Sequence, residues 1–367
     1  MRKDLLLLPR NRVRRNYMGG AGIDALHGEK TCVDDNRPEE WIGSMTEASN
    51  PGMPPIPGEG LAMLRDGDRV RSLRDIVDEE KSFYLGGDLY PDGTWQLSFL
   101  YKILDSAMRL HVQAHPTTAF ANARMGRPYG KLECYFILDV RPGQDGYIRL
   151  GFQHAPTRDE WREIIRTQDI PRMDACFERI PVRPGEVWYV PGGMPHAIGE
   201  NITMLEIMEP SDLCVRCEFE REGLVVAPEA RFMGRDLEFC LDIFDYTAYS
   251  VEEIRRRCRI DTHMETLSPG LWRRQLVGDT LTRCFAVTQY HAEGRQTLTL
   301  SPHLTLCVAT AGEGTLTSLS SGERLRIRRG DSFLLAAAAG QLAVETDTAL
   351  EWVAVQPGPD MRETKVQ

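Results

Sequence analysis

The stretch Val182-Arg-Pro-Gly-Glu-Val-Trp-Tyr-Val-Pro191-Gly-Gly-Met-Pro-His196 decides how the rest of the 367-residue chain is read. An apolar residue, Arg, any residue, Gly and an acid make a turn. Glu186–Val190 then reads as an apolar strand, and the Gly and Pro that follow fix a tight loop that aims the His196 ring inward. The same frame returns at Ile327-Arg-Arg-Gly-Asp-Ser-Phe-Leu-Leu-Ala336, which lies on Val182–Pro191 without a gap. Two copies of one β unit are therefore expected. Continued, the alignment sets His196 opposite Gln341. The second copy keeps the strand-turn-strand frame but lacks the imidazole, so only the first is expected to hold a metal ion.

Outward from this repeat, short β-branched and aromatic runs punctuated by Gly and Pro predict strands at Phe99–Leu104, Leu110–Gln113, Cys134–Val140, Tyr147–Phe152, Glu186–Val190 and Thr203–Met208. Strand-like runs return at Leu281–Gln289, Thr305–Ala309, Leu325–Ile327 and Leu350–Val355. Thr157-Arg-Asp-Glu160 has capping-box spacing and opens a helical insert near 157–179, broken at Pro171. A second box, Ser250-Val-Glu-Glu253, opens a helix through Glu252–Cys258, and a stripe of Leu237, Cys240, Leu241 and Phe244 predicts another before it. The expected division is a loop-rich segment at 1–80 packing on the first β unit, that unit at 81–225, a helical connector at 226–264, the second unit at 265–357 and a tail at 358–367.

Composition narrows the partners. With 42% hydrophobic and 27% charged residues the chain reads as globular. A net charge of -10 disfavours nucleic acid, which needs a basic face. The four leucines of MRKDLLLLPRNRVRR are too few for a signal peptide's apolar region, and the run around Leu334–Ala339 is too short to span a membrane. The nine cysteines are an odd number without regular spacing, which predicts reduced thiols and a cytoplasmic setting. Cys214-x-x-Cys217 lacks the second pair of a zinc ribbon and reads as two residues at a strand end. Oligomeric state has no signal in the sequence.

Strand parity groups the residues that carry chemistry. Side chains two apart share a face, which sets His111, Gln113 and His115 together, and likewise Lys131, Glu133 and Tyr135. With His196 they supply two imidazoles, a carboxylate and an amide oxygen, a donor set suited to Zn2+ with positions left for water or substrate. His111 lies nearer the strand start and is left outside the set.

Gln113-Ala-His-Pro116, Gly130-Lys-Leu-Glu-Cys-Tyr135, Val190-Pro-Gly-Gly-Met-Pro-His-Ala-Ile198 and Leu205-Glu-Ile-Met-Glu-Pro-Ser-Asp212 resemble, in order and spacing, the signatures of type I mannose-6-phosphate isomerases. The resemblance runs from Tyr17-Met-Gly-Gly and Glu40-Trp-Ile-Gly-Ser44 to near Val355. It implies a mainly β fold of two cupin (double-stranded β-helix, jelly-roll-like) barrels with a helical insert and connecting helices, the second barrel degenerate. It implies one Zn2+ per chain on Gln113, His115, Glu133 and His196, and a sugar phosphate as substrate. Carried over by position, the family's active-site arginine falls on Arg216 and a lysine two residues before the glutamate ligand on Lys131. An aldose–ketose isomerase acting through an enediolate is the function implied, with Arg216 stabilising charge and Lys131 as candidate base.

Two other readings of the same donors are a non-catalytic sugar-binding cupin and an Fe(II)-dependent cupin oxygenase, although Gln113 as a fourth ligand leaves fewer open positions for the latter. Thr117 and Thr118 stand where the family commonly has acidic residues. The Asn11–Arg15 segment and the Glu47–Pro57 loop also depart from it, and these regions are expected to line the far end of the sugar.

Overall fold

The computed structural model describes residues 2–359 apart from 88 and 90–92, so residues 360–367 of the expected tail lie outside the described residues. Two antiparallel sheets build the first half. One runs, in spatial order, Arg259–Ile260, Val187–Val190, Glu133–Val140, Ile202–Met208, Leu100–Ser106, Glu39–Trp41 and Arg12–Val13. The other runs Ile180–Pro181, Tyr147–Leu150, His196–Ile198, Gln113–Ala114 and Val215–Arg216. Alternation sends Tyr135 and Ile137 with Leu104, Leu150, Trp188 and Ile198 into one core cluster, and Cys134 and Phe136 into another. Both sheets are open paths, so the unit is a jelly-roll-like sandwich and not a barrel closed by hydrogen bonds.

The second half is an eight-stranded sheet folded over its own core of Leu298, Cys307, Leu316, Phe333, Leu342 and Trp352. Its strands are longer than the sequence suggests: Phe285–Thr299, Thr305–Ser318 and Gln341–Pro357. Gly294 and Gly312, which lie beyond the expected runs Leu281–Gln289 and Thr305–Ala309, are bulge positions at φ +64° and +73° beside register shifts, so the strands bend without ending.

The repeat survives as geometry. Gly185 and Gly330 occupy matching turns at φ +86° and +91°. In each turn the acid after the glycine accepts from the backbone N–H of the Arg three residues earlier, Arg183 to Glu186 at 3.1 Å and Arg328 to Asp331 at 3.0 Å. The strands that follow begin at the matched positions His196 and Gln341. His196 is buried and Gln341 exposed, so the second copy turns that position to solvent.

Elsewhere the chain departs from expectation in detail. The N-terminal segment divides between the halves: Leu5–Leu8 pairs with Ser332–Leu335 of the second sheet, whereas Arg12–Val13 and Glu39–Trp41 extend the first. The helical insert is two helices, Arg158–Thr167 and Ile170–Ala175, with both capping-box bonds present at Thr157 and Glu160. Its break is at Gln168, in the left-handed region, and Pro171 sits in the first turn of the second helix, where a missing N–H costs nothing. Helices Leu237–Leu241 and Val251–Cys258 follow. Ile42, Tyr101 and Ile103 of the first half share one core with Leu306, Val308 and Val353 of the second. No helix among the described residues is long and apolar enough to cross a membrane.

Candidate metal centre and active-site cleft

Three segments bring the candidate ligands together. His196 opens its strand directly across from Gln113, and Glu133 opens the strand beside Val187–Val190, where it pairs with Val190. His115 follows Gln113 just past the end of its strand. The donor atoms of His115, Glu133 and His196 lie within 4.8 Å of one another, and all three residues are buried. Glu133 Oε1 is 3.0 Å from His115 Nε2, and Oε2 is 3.5 Å from His196 Nε2.

The hydrogen bonds behind the rings say what the cluster can hold. His115 Nδ1 lies 2.9 Å from the Leu213 carbonyl and His196 Nδ1 2.9 Å from that of Met194. Carbonyls only accept, so each Nδ1 carries a proton and each ring turns its Nε2 inward, toward Glu133. Burial, with Lys131 close by, pushes the His115 pKa down to about 3 against the pull of Glu133, so this ring stays neutral. Its Nε2 is buried without a hydrogen-bond partner. The facing carboxylate cannot donate to it, because Glu133, despite its burial, is held ionised by the Lys131 ammonium. Lone pairs converging with no proton between them fit a cation, and two imidazoles with a carboxylate fit a divalent metal of the zinc kind.

Gln113 stands at the edge of the cluster. Its Nε2 is 3.4 Å from His196 Nε2, and its Oε1 accepts from Cys214 Sγ at 3.1 Å. Turning the amide over places the oxygen toward the cluster as a fourth donor, an exchange that costs little because the two ends are nearly isosteric. His111 lies apart, its Nε2 3.2 Å from the Leu224 carbonyl. Cys214 and Cys217 are buried free thiols.

Gln113, Lys131, Glu133 and Arg216 all line one cleft of about 1310 Å3 counting its open mouth. The two histidines are buried behind Glu133. Lys131 Nζ is 3.1 Å from Glu133 Oε1. Burial opposes its charge, but Glu133, with Cys214, Glu206 and Asp212, outweighs burial and raises its pKa above the ordinary lysine value. Arg216 pairs in register with Gln113 and donates through Nη1 to the Ala230 carbonyl at 2.7 Å.

The cleft wall also holds residues that the sequence reading passed over. Lys102 Nζ bridges Glu206 at 3.1 Å and Glu39 at 3.3 Å, and Tyr17 OH donates to Glu39 at 2.6 Å. Burial pushes the Glu206 pKa up to about 8, even beside Lys102. Asp212 and Trp41 complete the wall. A signal was available for two of these: Lys102 and Glu206 are single charges inside apolar strand runs, where a buried charge demands a partner. Thr117 and Thr118 have local structural roles. Thr117 caps the turn at Thr118–Phe120 by accepting from Phe120 N at 3.1 Å, and Thr118 Oγ1 accepts from Gly130 N at 3.0 Å.

No family model matches the chain. Mannose-6-phosphate isomerase ManA of Bacillus subtilis is 30% identical over 280 residues, which span 75% of this chain and 78% of that protein. The crystal structure of the mannose 6-phosphate isomerase from Bacillus subtilis superposes with a TM-score of 0.69 at 19% identity, covering 96% of this chain and 99% of that one. A zinc-bound holo mannose 6-phosphate isomerase structure gives 0.69 at 14% identity, covering 97% and 100%. Those structures speak for the fold alone, and the sequence relation, which runs across three quarters of both proteins, goes further: this chain belongs to the mannose-6-phosphate isomerase family.

Proposed function

We propose that the protein is a zinc-dependent aldose–ketose isomerase that interconverts mannose 6-phosphate and fructose 6-phosphate by proton transfer through an enediolate. The observation that carries this reading is the buried convergence of His115, Glu133 and His196 behind a cleft that also presents Lys131 and Arg216. It is supported by the relatives, which are named for that reaction, and by a zinc-bound structural neighbour. Gln113, His115, Glu133 and His196 are assigned to hold one Zn2+. When bound, the ion supplies a Lewis-acid charge that polarises a sugar oxygen.

The chain's own groups do the rest. Arg216 offers a fixed guanidinium where negative charge develops on the sugar oxygens, in a wall that excludes most water. Lys131 is assigned the proton at C2. Its ammonium is supported by the Glu133 charge, and a ligand carboxylate that gives its charge to a cation withdraws that support, leaving burial to lower the lysine toward a working base. Glu206, with its pKa pushed up to about 8, is a second acceptor on the same wall. We assign this chemistry to the unit at 81–225 and a supporting role to the unit at 265–357. A cytoplasmic setting is proposed with it, supported by nine free cysteines.

Isomerisation of mannose 6-phosphate in D2O tests the mechanism. An enediolate route hands the C2 hydrogen to a side chain that exchanges with solvent, so deuterium is expected at the transferred position of the product. Lys131→Ala is expected to lower kcat by about 10²–10⁴-fold with zinc content unchanged. A smaller loss than that from Glu206→Gln moves the base to Glu206. Product free of label under single-turnover conditions contradicts proton transfer.

A further inference from the structure

Two stretches that depart from the family, Asn11–Arg15 and the Glu47–Pro57 loop, prove to be one unit on the cleft wall. Asn11 Nδ2 donates to the Gly60 carbonyl at 2.7 Å, and Arg14 forms an ion pair with Glu59 at 2.9 Å. Asn50 Nδ2 donates to the same Glu59 at 3.2 Å and accepts through Oδ1 from Arg15 Nη1 at 3.0 Å. The loop thereby lines the cleft with Glu47, Ser49, Asn50, Pro51 and Met53, and it meets the opposite lip near Ala227.

Arg15 is the cation this unit presents. Its guanidinium lies over the Trp41 ring, 4.8 Å from the centroid, and its Nε donates to Glu39 at 2.9 Å. Trp41 Nε1 donates to the same Glu39 oxygen at 2.8 Å, so the backing is itself held. Burial opposes the charge, but Glu39 and Asp212 outweigh it, and the group is a permanent cation. Its Nη2 has no hydrogen-bond partner among the described residues, and the residue lines the cleft. A guanidinium pinned at Nε and Nη1 with its remaining edge free is prepared for an anion.

Position excludes the other cations of the wall. Lys102 is shared between Glu39 and Glu206, Lys131 is paired with Glu133, and Arg216 stands beside Gln113 at the metal end. Arg15 is at the far side. The sheet order from Glu133 through Glu206 and Lys102 to Glu39 crosses three strand spacings, about 14 Å at ~4.8 Å each. A six-carbon chain with a terminal phosphate, together with the side chains reaching for its ends, fits such a span.

We propose that Arg15, held by Glu39, Trp41 and Asn50, receives the phosphate at the far end of the aldose phosphate and sets the preference for phosphorylated over free sugar. The proposal rests on the isomerase reading above. Phosphate is a dianion with three acceptor oxygens, and a charge-assisted contact from the free Nη2 discriminates against a neutral hydroxyl at the same place.

The test is the ratio of kcat/KM for mannose 6-phosphate to that for mannose, measured on zinc-loaded wild type, Arg15→Gln, Arg15→Lys and Arg127→Gln, with zinc content and melting temperature recorded for each. Arg15→Gln is expected to lower the ratio by about 10–100-fold, through KM for the phosphorylated sugar. Arg15→Lys should recover part of it. Arg127, an exposed residue at the outer mouth, should leave the ratio within about twofold when changed to Gln. Equal losses on both sugars would reduce Arg15 to a structural part, and a phosphate-specific loss in Arg127→Gln would move the site outward; either result overturns the proposal. Calorimetric titration with mannose 6-phosphate and mannose reads the same preference without turnover. A wild type that binds the phosphate ester but does not isomerise it defeats the isomerase reading, and Arg15 then stands if Arg15→Gln weakens that binding and falls if it does not. A wild type that binds neither sugar defeats both.

Discussion

His196→Gln is expected to lower zinc affinity by more than the ~10–100-fold lost when only a residue behind a ligand is changed, and to lower activity in proportion to the zinc lost. The substitution installs the residue that stands at the matched place in the second copy, where Gln341 starts a strand in the same frame. Backbone pairing of His196 with Gln113 and Leu150 does not depend on the side chain, so the sheet is expected to survive. What is lost is the inward Nε2 lone pair that the Met194 carbonyl fixes from behind. Titration with a competing chelator gives the affinity, and the melting curve of the zinc-free protein gives the fold. Full zinc occupancy with full activity would remove His196 from the ligand set.

Arg216→Ala is expected to lower kcat by about 10²–10³-fold while KM changes by only a few fold, because the charge it is proposed to face develops along the reaction path and is absent from bound substrate. The same change removes the bond to the Ala230 carbonyl, which lies in the short turn Pro228–Ala230 on the cleft lip. Arg216→Lys separates the two effects. It restores a charge without the bidentate fork, so it should recover part of kcat even if the lip stays loosened. A change in KM alone for Arg216→Ala would place the guanidinium in ground-state binding, away from the developing charge.

The repeat and the cluster of His115, Glu133 and His196 are legible in the sequence because each rests on local motifs. A turn that needs glycine at φ near +90° and an acid to accept the turn N–H leaves the same five-residue trace twice, at Val182–Glu186 and Ile327–Asp331. The donors sit within short motifs whose spacing survives folding. Pairings between distant segments leave no such trace. Nothing in Leu5–Leu8 says that its partner is Ser332–Leu335, more than 300 residues on.

The expected run Thr305–Ala309 stops short of the strand's end at Ser318, because the bulge at Gly312 bends the strand without ending it. The strand reading also erred at Leu110–Gln113, of which only Gln113 pairs as strand together with Ala114. His111 therefore faces the cleft from outside the strand, and its shared face with Gln113 does not follow from strand parity. The network of Glu39, Lys102 and Glu206 crosses three strands drawn from separate parts of the chain. Lys102 and Glu206 are visible as charges in apolar runs, but Glu39 is not, and neither is their meeting.

The account stands or falls on a single coupled assay run with metal analysis on the same sample: fructose 6-phosphate formed from mannose 6-phosphate by protein of measured zinc content. Activity is expected to rise linearly with zinc to a plateau at one ion per chain, to vanish on chelation and to return on zinc addition. Protein that binds one zinc per chain and forms no fructose 6-phosphate, or forms it undiminished after complete chelation, would contradict it.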